Sequence, residues 1–221
     1  MMTNIYLGKE PLSMSNKSRL SHIIAWSLVT IVCFVAIISW GGFYQWHLWP
    51  LPVYQLFPLL GLLAFSLMWT HYMMSALRTR WSIKKEVLSN YFRWTSHAVL
   101  ALICLHPVLL IYQRFQDGYG LPPGSYERYV APGLGWVTLL GTASLFIFLS
   151  FELYRFFGKR SWWHYVADAS DAAMLAIVYH GLRLGTQLQE GWFRVVWLFY
   201  LVTLTATLIY KYKNRLSHRL G

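Results

Sequence analysis

Histidines inside long apolar stretches are the residues of this chain whose type and spacing point to chemistry. His97 and His106 lie in FRWTSHAVLALICLHPVLLIY, at positions 92–112, and His180 lies in SWWHYVADASDAAMLAIVYHGLRLG, at 161–185. Ionisable side chains cost a few kcal/mol or more at membrane depth, so they mark functional sites by default. Imidazole is also a common axial ligand of haem iron.

His106 and His180 are predicted to lie at matching depth. They stand about seven and about five residues before the outer ends of their segments, and a helix rises about 1.5 Å per residue, so both rings fall roughly 8–11 Å below the outer surface. Two neutral imidazoles from two helices at one level match bis-histidine ligation of haem iron. Spacing alone leaves an alternative open, in which each histidine separately hydrogen-bonds a backbone carbonyl or a neighbouring helix.

The composition indicates lipid as the solvent. The 221 residues are 57% hydrophobic and 12% charged, whereas a soluble domain carries about 25% charged residues. The net charge of +11 is spread as short basic clusters between apolar runs, a pattern that orients membrane proteins rather than one that binds nucleic acid. The lipid bilayer is therefore the predicted partner, and nucleic acid is excluded.

Six segments are long enough to cross a hydrocarbon core of about 30 Å. They are residues 22–41, 56–77, 91–113, 133–154, 165–185 and 191–210. The predicted fold is an all-α integral membrane six-helix bundle with short connections. Its organisation is an N-terminal cytoplasmic segment, 1–21, a six-transmembrane-helix domain, 22–210, and a basic cytoplasmic tail, 211–221.

The distribution of basic residues predicts the orientation. With six crossings both termini share one side, and that side holds 15 of the 19 Lys and Arg residues. Those left for the other side are Arg114, Arg128, Arg183 and Arg194. By the positive-inside rule both termini are cytoplasmic. We expect a multi-pass protein of the bacterial inner membrane.

His97 cannot serve the same iron as His106, because nine residues of helix turn it about 180° away and place it about 13 Å deeper. His71, in the second segment, is expected at a depth similar to that of His97. The two are secondary candidates for a hydrogen-bonded pair, a quinone-type site or another metal site, and a structural polar contact is the simpler interpretation.

A third secondary candidate, His164, stands at the start of the fifth segment. With Asp168 and Asp171 it forms an i, i+4, i+7 stripe on one helix face. The stripe would suit a proton relay or a cytoplasmic partner. Acidic residues are favoured in the first turns of a helix in any case, so the stripe requires no function.

Several motifs resemble the ferric-reductase-like transmembrane family, which includes the membrane parts of ferric reductases and NADPH oxidases and the haem-binding subunit of the bacterial methionine sulfoxide reductase system. The resemblance covers roughly residues 55–205. It rests on Phe92-Arg93-Trp94-Thr95-Ser96 followed by His106-Pro107, on the preceding basic loop LRTRWSIKKEVLSN, and on Trp162-Trp163 followed by Ala167 and His180-Gly181.

The resemblance implies that His106 and His180 ligate an outer-leaflet haem b. Family members carry a second histidine in each of these helices for an inner haem, and here those positions hold Phe92 and Ala167. A phenyl ring and a methyl group cannot bind iron, so we expect one haem rather than an inner one held by His71, His97 or His164. Arg183, one turn outward of His180, is expected either to pair with a haem propionate or to reach the interface.

The expected function is that of a haem b membrane protein that passes electrons from a membrane or protein donor to an acceptor at the outer face. Quinol, or a flavin held by a partner, would supply the electrons, and a redox protein or subunit is the expected partner. Any enzymatic activity would be that of an oxidoreductase subunit, since no nucleophile–base pair or carboxylate dyad is evident. The alternative is a non-redox membrane scaffold or assembly protein that has lost its cofactor; a transporter lacks a central polar pathway.

Overall fold

The computed structural model of the protein describes residues 16–47, 49, 52–151 and 158–220. Expectations that concern other positions lie outside the described residues. They include most of the N-terminal segment 1–21, the cytoplasmic placement of Lys9 and Arg155, and the end of the fourth apolar segment.

Helices are the regular structure of the described residues, and no strand occurs among them. They are α1 Asn16–Phe43, α2 Val53–Arg80, α3 Ser89–Gln116, the single turn α4 Gly124–Glu127, α5 Gly135–Phe151, α6 Trp163–Leu184 and α7 Trp192–Leu220, with 3-10 turns at Lys85–Leu88 and Thr186–Leu188. Apolar segments in lipid must satisfy their backbone hydrogen bonds internally, which a helix does. The all-helical prediction is confirmed.

Four helical segments are long and apolar enough to cross a membrane: Asn16–Phe43, Val53–Arg80, Lys85–Gln116 and Trp192–Ser217. A fifth, Gly135–Ser150, is apolar but shorter. α6 is long, but Asp168 and Asp171 lie in its first half. Each of the six apolar segments named from the sequence thus contains most of one long helix, while the number of crossings is not fixed by helix length and composition.

The outer surface of the bundle is covered by large apolar side chains. Phe34, Phe146, Val202 and Ile209, on three different helices, are each 62–66% exposed. Large apolar side chains exposed along several helices suit contact with lipid. Together with the four long apolar helices, they identify a membrane protein in contact with the bilayer.

Two helix hairpins, α2 with α3 and α5 with α6, form the frame of the bundle, and α7 packs against α2 and α6. Aromatic rings join α2 to α7: the ring centroids of Phe65 and Trp197 are 4.3 Å apart, and those of Trp69 and Tyr200 are 4.5 Å apart. The Trp69 indole donates to the Thr203 hydroxyl at 2.9 Å. Buried indole N–H groups need such partners, so these contacts also fix the rotation of the two helices.

A buried carboxylate ties α6 to α2 and α7. Asp171 accepts hydrogen bonds from the hydroxyls of Tyr72, at 3.0 Å, and Tyr212, at 2.8 Å, and forms an ion pair with Lys211. Asp171 is only 5% exposed, so its charge is stable there because three donors surround it.

The second carboxylate of the stripe is also bound within the chain. Asp168 accepts two hydrogen bonds from Arg215 Nη1, at 2.9 and 3.0 Å, and shares the single hydroxyl proton of Tyr212 with Asp171. His164 is exposed and bonds the carbonyl of Ser161 through Nδ1 at 2.6 Å. The two aspartates therefore fix α6 to α7, and His164 takes no part in their network.

Replacing Asp171 by Ala is expected to destabilise the protein by about 1–3 kcal/mol, because the Lys211 ammonium and the Tyr72 hydroxyl lose their acceptor, while Tyr212 keeps Asp168. The measurement is the thermal unfolding midpoint of detergent-solubilised protein. Glu190→Ala, at an exposed carboxylate between α6 and α7, is the matched control and should leave the midpoint unchanged. Equal midpoints for both variants would show that the Asp171 network contributes no stability.

Candidate functional site

A cavity of about 210 Å³ lies between the two hairpins, and both His106 of α3 and His180 of α6 line it. Its walls are mainly apolar and come from α2, α3, α5 and α6, with Gln187 and Leu188 of the second 3-10 turn at one end. The two histidines singled out in the sequence are thus brought to one site by different hairpins.

Each of these imidazoles hydrogen-bonds a backbone carbonyl of the preceding long helix. His106 Nδ1 lies 2.7 Å from the carbonyl oxygen of Phe57, and His180 Nδ1 lies 2.8 Å from that of Val137. A carbonyl only accepts, so Nδ1–H donates in both rings and Nε2 carries the lone pair. This tautomer leaves Nε2 free to coordinate a metal, and the bond at Nδ1 is the orienting contact that ligating histidines usually make.

Each imidazole also lies against a glycine. A Cβ added to Gly61 would stand 2.9 Å from Cε1 of His106, and one added to Gly141 would stand 2.6 Å from Cε1 of His180. Both glycines are in helices, where glycine costs roughly 0.5–1 kcal/mol relative to alanine. The space that they leave is what admits the rings.

Two buried polar atoms at the cavity have no hydrogen-bond partner. They are Nε2 of Gln187 and Oγ1 of Thr138, and both residues line the cavity. Arg183, by contrast, is exposed and is not among the lining residues. Buried groups of this kind call for an unseen partner, so Gln187 and Thr138 are the polar groups best placed to meet a ligand in this cavity.

Tyrosines lie at the end of the cavity that carries the α3–α5 connection. Tyr54, Tyr126 and Tyr129 line it, and the rings of Tyr54 and Tyr129 stack at 6.3 Å. The Tyr54 hydroxyl donates to the carboxylate of Asp117, and this bond, with a second from the Gln113 amide, lowers the pKa of Asp117. The ionised carboxylate therefore holds Tyr54 in place over the cavity.

A second cavity, of about 510 Å³, lies among α2, α3, α6 and α7. Phe92 and Ala167, which stand where the resemblance would place inner-haem ligands, both line it, together with His71. Three residues, Met68, Ile103 and Phe148, line both cavities. A single layer of side chains therefore separates the two spaces.

The hydrogen-bonded pair considered for His71 and His97 is not formed. His71 Nε2 lies 2.6 Å from the hydroxyl oxygen of Thr95, while His97 is exposed and bonds the Arg93 carbonyl of its own helix at 2.6 Å. Thr95 and His97 are two residues apart, so they point about 200° apart on α3. The face of α3 that meets His71 therefore carries Thr95, and His97 lies on the opposite face.

Sequence reasoning missed the groups that hold the two imidazoles. The signal was present: Leu-Leu-Gly occurs at 59–61 and again at 139–141, in the helix that precedes each histidine-bearing helix. Gln187 carried no pattern that pointed to it.

The described residues contain no cluster of three or more His, Cys, Asp or Glu side chains arranged to hold a metal ion. A metal in the first cavity would therefore have two protein ligands, as a porphyrin-bound iron does. Comparison of the chain with family models, with curated proteins and with solved structures finds no match.

Proposed function

We propose that the protein is a haem b membrane subunit of the ferric-reductase-like kind, with one bis-histidine haem that passes electrons to an acceptor at the outer face. The observation that carries the proposal is the pair of imidazoles in one cavity. His106 and His180 share a tautomer that leaves Nε2 unprotonated, and each is held by a carbonyl of another helix. Two unrelated structural histidines would not be expected to meet at one cavity.

The residue types that line the first cavity support this proposal. His106 and His180 would hold the iron, apolar walls would exclude water from the ring, and Gln187 with Thr138 would meet its polar edge. Haem supplies a one-electron redox centre whose potential depends on its ligands, burial and hydrogen bonds. The two carbonyl bonds keep the proton on Nδ1 of each neutral ring and fix its rotation, so the chain sets the ligand geometry before any cofactor enters.

The topology that we propose has six crossings: the four long apolar helices together with α5 and α6. Both termini face the cytoplasm, because the basic residues gather on that side. The haem then lies nearer the outer face of a bacterial inner membrane. A redox partner protein or subunit would exchange electrons with it.

One observation favours the alternative, a non-redox scaffold. Phe92 and Ala167 have replaced two family ligands, and a histidine bonded to a carbonyl is also an ordinary structural contact. The scaffold requires that the imidazoles bind nothing. The haem content of the protein therefore separates the two functions.

Purified protein, expressed with ample haem, is expected to show b-type bands in a reduced-minus-oxidised spectrum, with about one haem per chain. Removal of a ligand, in His106→Ala or His180→Ala, should abolish the bands, because even the loss of a group that only orients a metal ligand lowers metal affinity about 10–100-fold. His97→Ala, at an exposed histidine of α3, is the control and should keep them. A wild-type protein without haem bands would overturn the redox function.

Gly141→Ala is expected to lower haem occupancy by about tenfold, the scale of losing an orienting contact. The new Cβ would stand 2.6 Å from the His180 ring and displace it. Gly42→Ala, in α1, is the matched control, because a Cβ there meets nothing within 4 Å. The measurement is haem per chain from a pyridine haemochrome assay. Full occupancy in Gly141→Ala would mean that His180 is not held as a ligand.

Single cysteines test the orientation. Leu121→Cys, in the α3–α5 connection, should react with a membrane-impermeant maleimide in intact cells, and Ser217→Cys, near the end of α7, only after permeabilisation. Both positions are exposed, so their reactivity reports the side of the membrane. Wild-type protein controls for Cys33 and Cys104. The reverse pattern would place the termini outside.

A further inference from the structure

The second cavity has two polar ends in an otherwise largely apolar lining. One end is His71, on the side of α3. The other is formed by Tyr72, Asp171 and Lys211, on the side of α6 and α7. His71 and Tyr72 are consecutive in α2, so their side chains diverge by about 100° and reach the two sides of the cavity.

The hydrogen bonds at the His71 end indicate which ring nitrogen of His71 is unprotonated. The Thr95 hydroxyl donates its proton to the Tyr91 carbonyl at 2.7 Å, so it accepts from His71 Nε2 at 2.6 Å. His71 Nδ1 is then an unprotonated acceptor. It can take a hydrogen bond from a hydroxyl group of a ligand.

The other end can exchange protons with water. Tyr72 donates to Asp171, Asp171 pairs with Lys211, and the Lys211 side chain is 39% exposed. A buried carboxylate that is joined to an exposed ammonium gives a continuous polar path from the cavity to solvent. The remaining walls combine apolar side chains, among them Met68, Val99 and Met174, with small polar ones such as Ser96 and Thr207.

We propose that this second cavity binds the ring of a membrane quinol, which reduces the haem of the first cavity; the inference rests on the proposed function. A quinol ring is flat and apolar, carries hydroxyl groups at opposite ends, and has an apolar tail that enters from lipid. His71 faces one hydroxyl and the Tyr72–Asp171–Lys211 group faces the other. Met68, Ile103 and Phe148 form the layer between donor and haem.

The electrons balance with haem as the oxidant. One quinol releases two electrons and two protons as it becomes quinone, and so reduces the ferric iron of two haems, in two protein molecules, to the ferrous state. The protons pass to water, for which the Lys211 end is the open route. A second haem in this cavity is disfavoured because His71 is the one histidine among the described residues that line it.

The test uses the full-length protein in lipid nanodiscs, titrated with decylubiquinone in a calorimeter against empty nanodiscs. Ala167→Phe fills the cavity from α6 and should weaken binding more than about tenfold. Its matched control is Ala172→Phe, at an exposed position of the same helix. His71→Leu removes one polar end and should weaken binding likewise, whereas His97→Leu, at an exposed histidine, should not.

Haem reduction is the second readout. Decylubiquinol mixed anaerobically with ferric wild-type protein should raise the ferrous haem bands, and Ala167→Phe and His71→Leu should slow that rise more than about tenfold while dithionite still reduces their haem fully. Full reduction by dithionite shows that each variant is folded and loaded. Unchanged binding and unchanged reduction in both variants would overturn the quinol site.

Further outcomes separate this inference from the proposed function. The haem-free variant His106→Ala should still bind decylubiquinone, because His106 does not line the second cavity. Wild-type protein that lacks haem would overturn the proposed function, whatever its quinone binding. Two haems per chain, or haem with no quinone binding, would overturn the quinol site alone.

Discussion

Two hydrogen bonds, each from an imidazole Nδ1–H to a backbone carbonyl of the preceding long helix, are the contacts on which the site depends. In both hairpins the acceptor is one helical turn before the glycine that the ring lies against: Phe57 before Gly61, and Val137 before Gly141. Residues four apart share a helix face. One turn of α2, and one of α5, therefore supplies both the space for a ring and the carbonyl that orients it, and the two hairpins repeat the same solution.

The helices could be predicted from local information, and the pairing of His106 with His180 from their matching positions along two helices. Apolar length predicts a helix in lipid, and rise per residue predicts depth. The carbonyl acceptors and the glycine contacts depend on which faces of two helices meet, and that is set by packing. Leu-Leu-Gly at 59–61 and 139–141 marked the helices, but it gave no register against α3 or α6.

The end of the site facing the α6–α7 connection shows a different limit of sequence reasoning. Arg183 was expected either beside a haem carboxylate or at the interface, because it lies one turn beyond His180; it is exposed and does not line the cavity. The chain leaves the helix at Gly185 and turns through Thr186–Leu188, which brings the Gln187 amide into the cavity lining. In the same way, Asp168 and Asp171 gave a clear stripe, but their partners lie 40 to 47 residues later on α7 and, for Tyr72, on α2, beyond the reach of a helix-face pattern.

The second cavity lies where the resemblance to the ferric-reductase-like family would place inner-haem ligands. Phe92 and Ala167 line the second cavity, and the cavity remains larger than the one between His106 and His180. An empty apolar space in a packed protein is destabilising, by about 24 cal/mol per Å³ in a well-studied soluble case, so side chains tend to close it where nothing occupies it. Here polar groups remain at both ends, held by Thr95 and by the buried carboxylate of Asp171. A cavity with this volume, polar groups at both ends and one histidine among the described residues that line it suits an occupant other than haem.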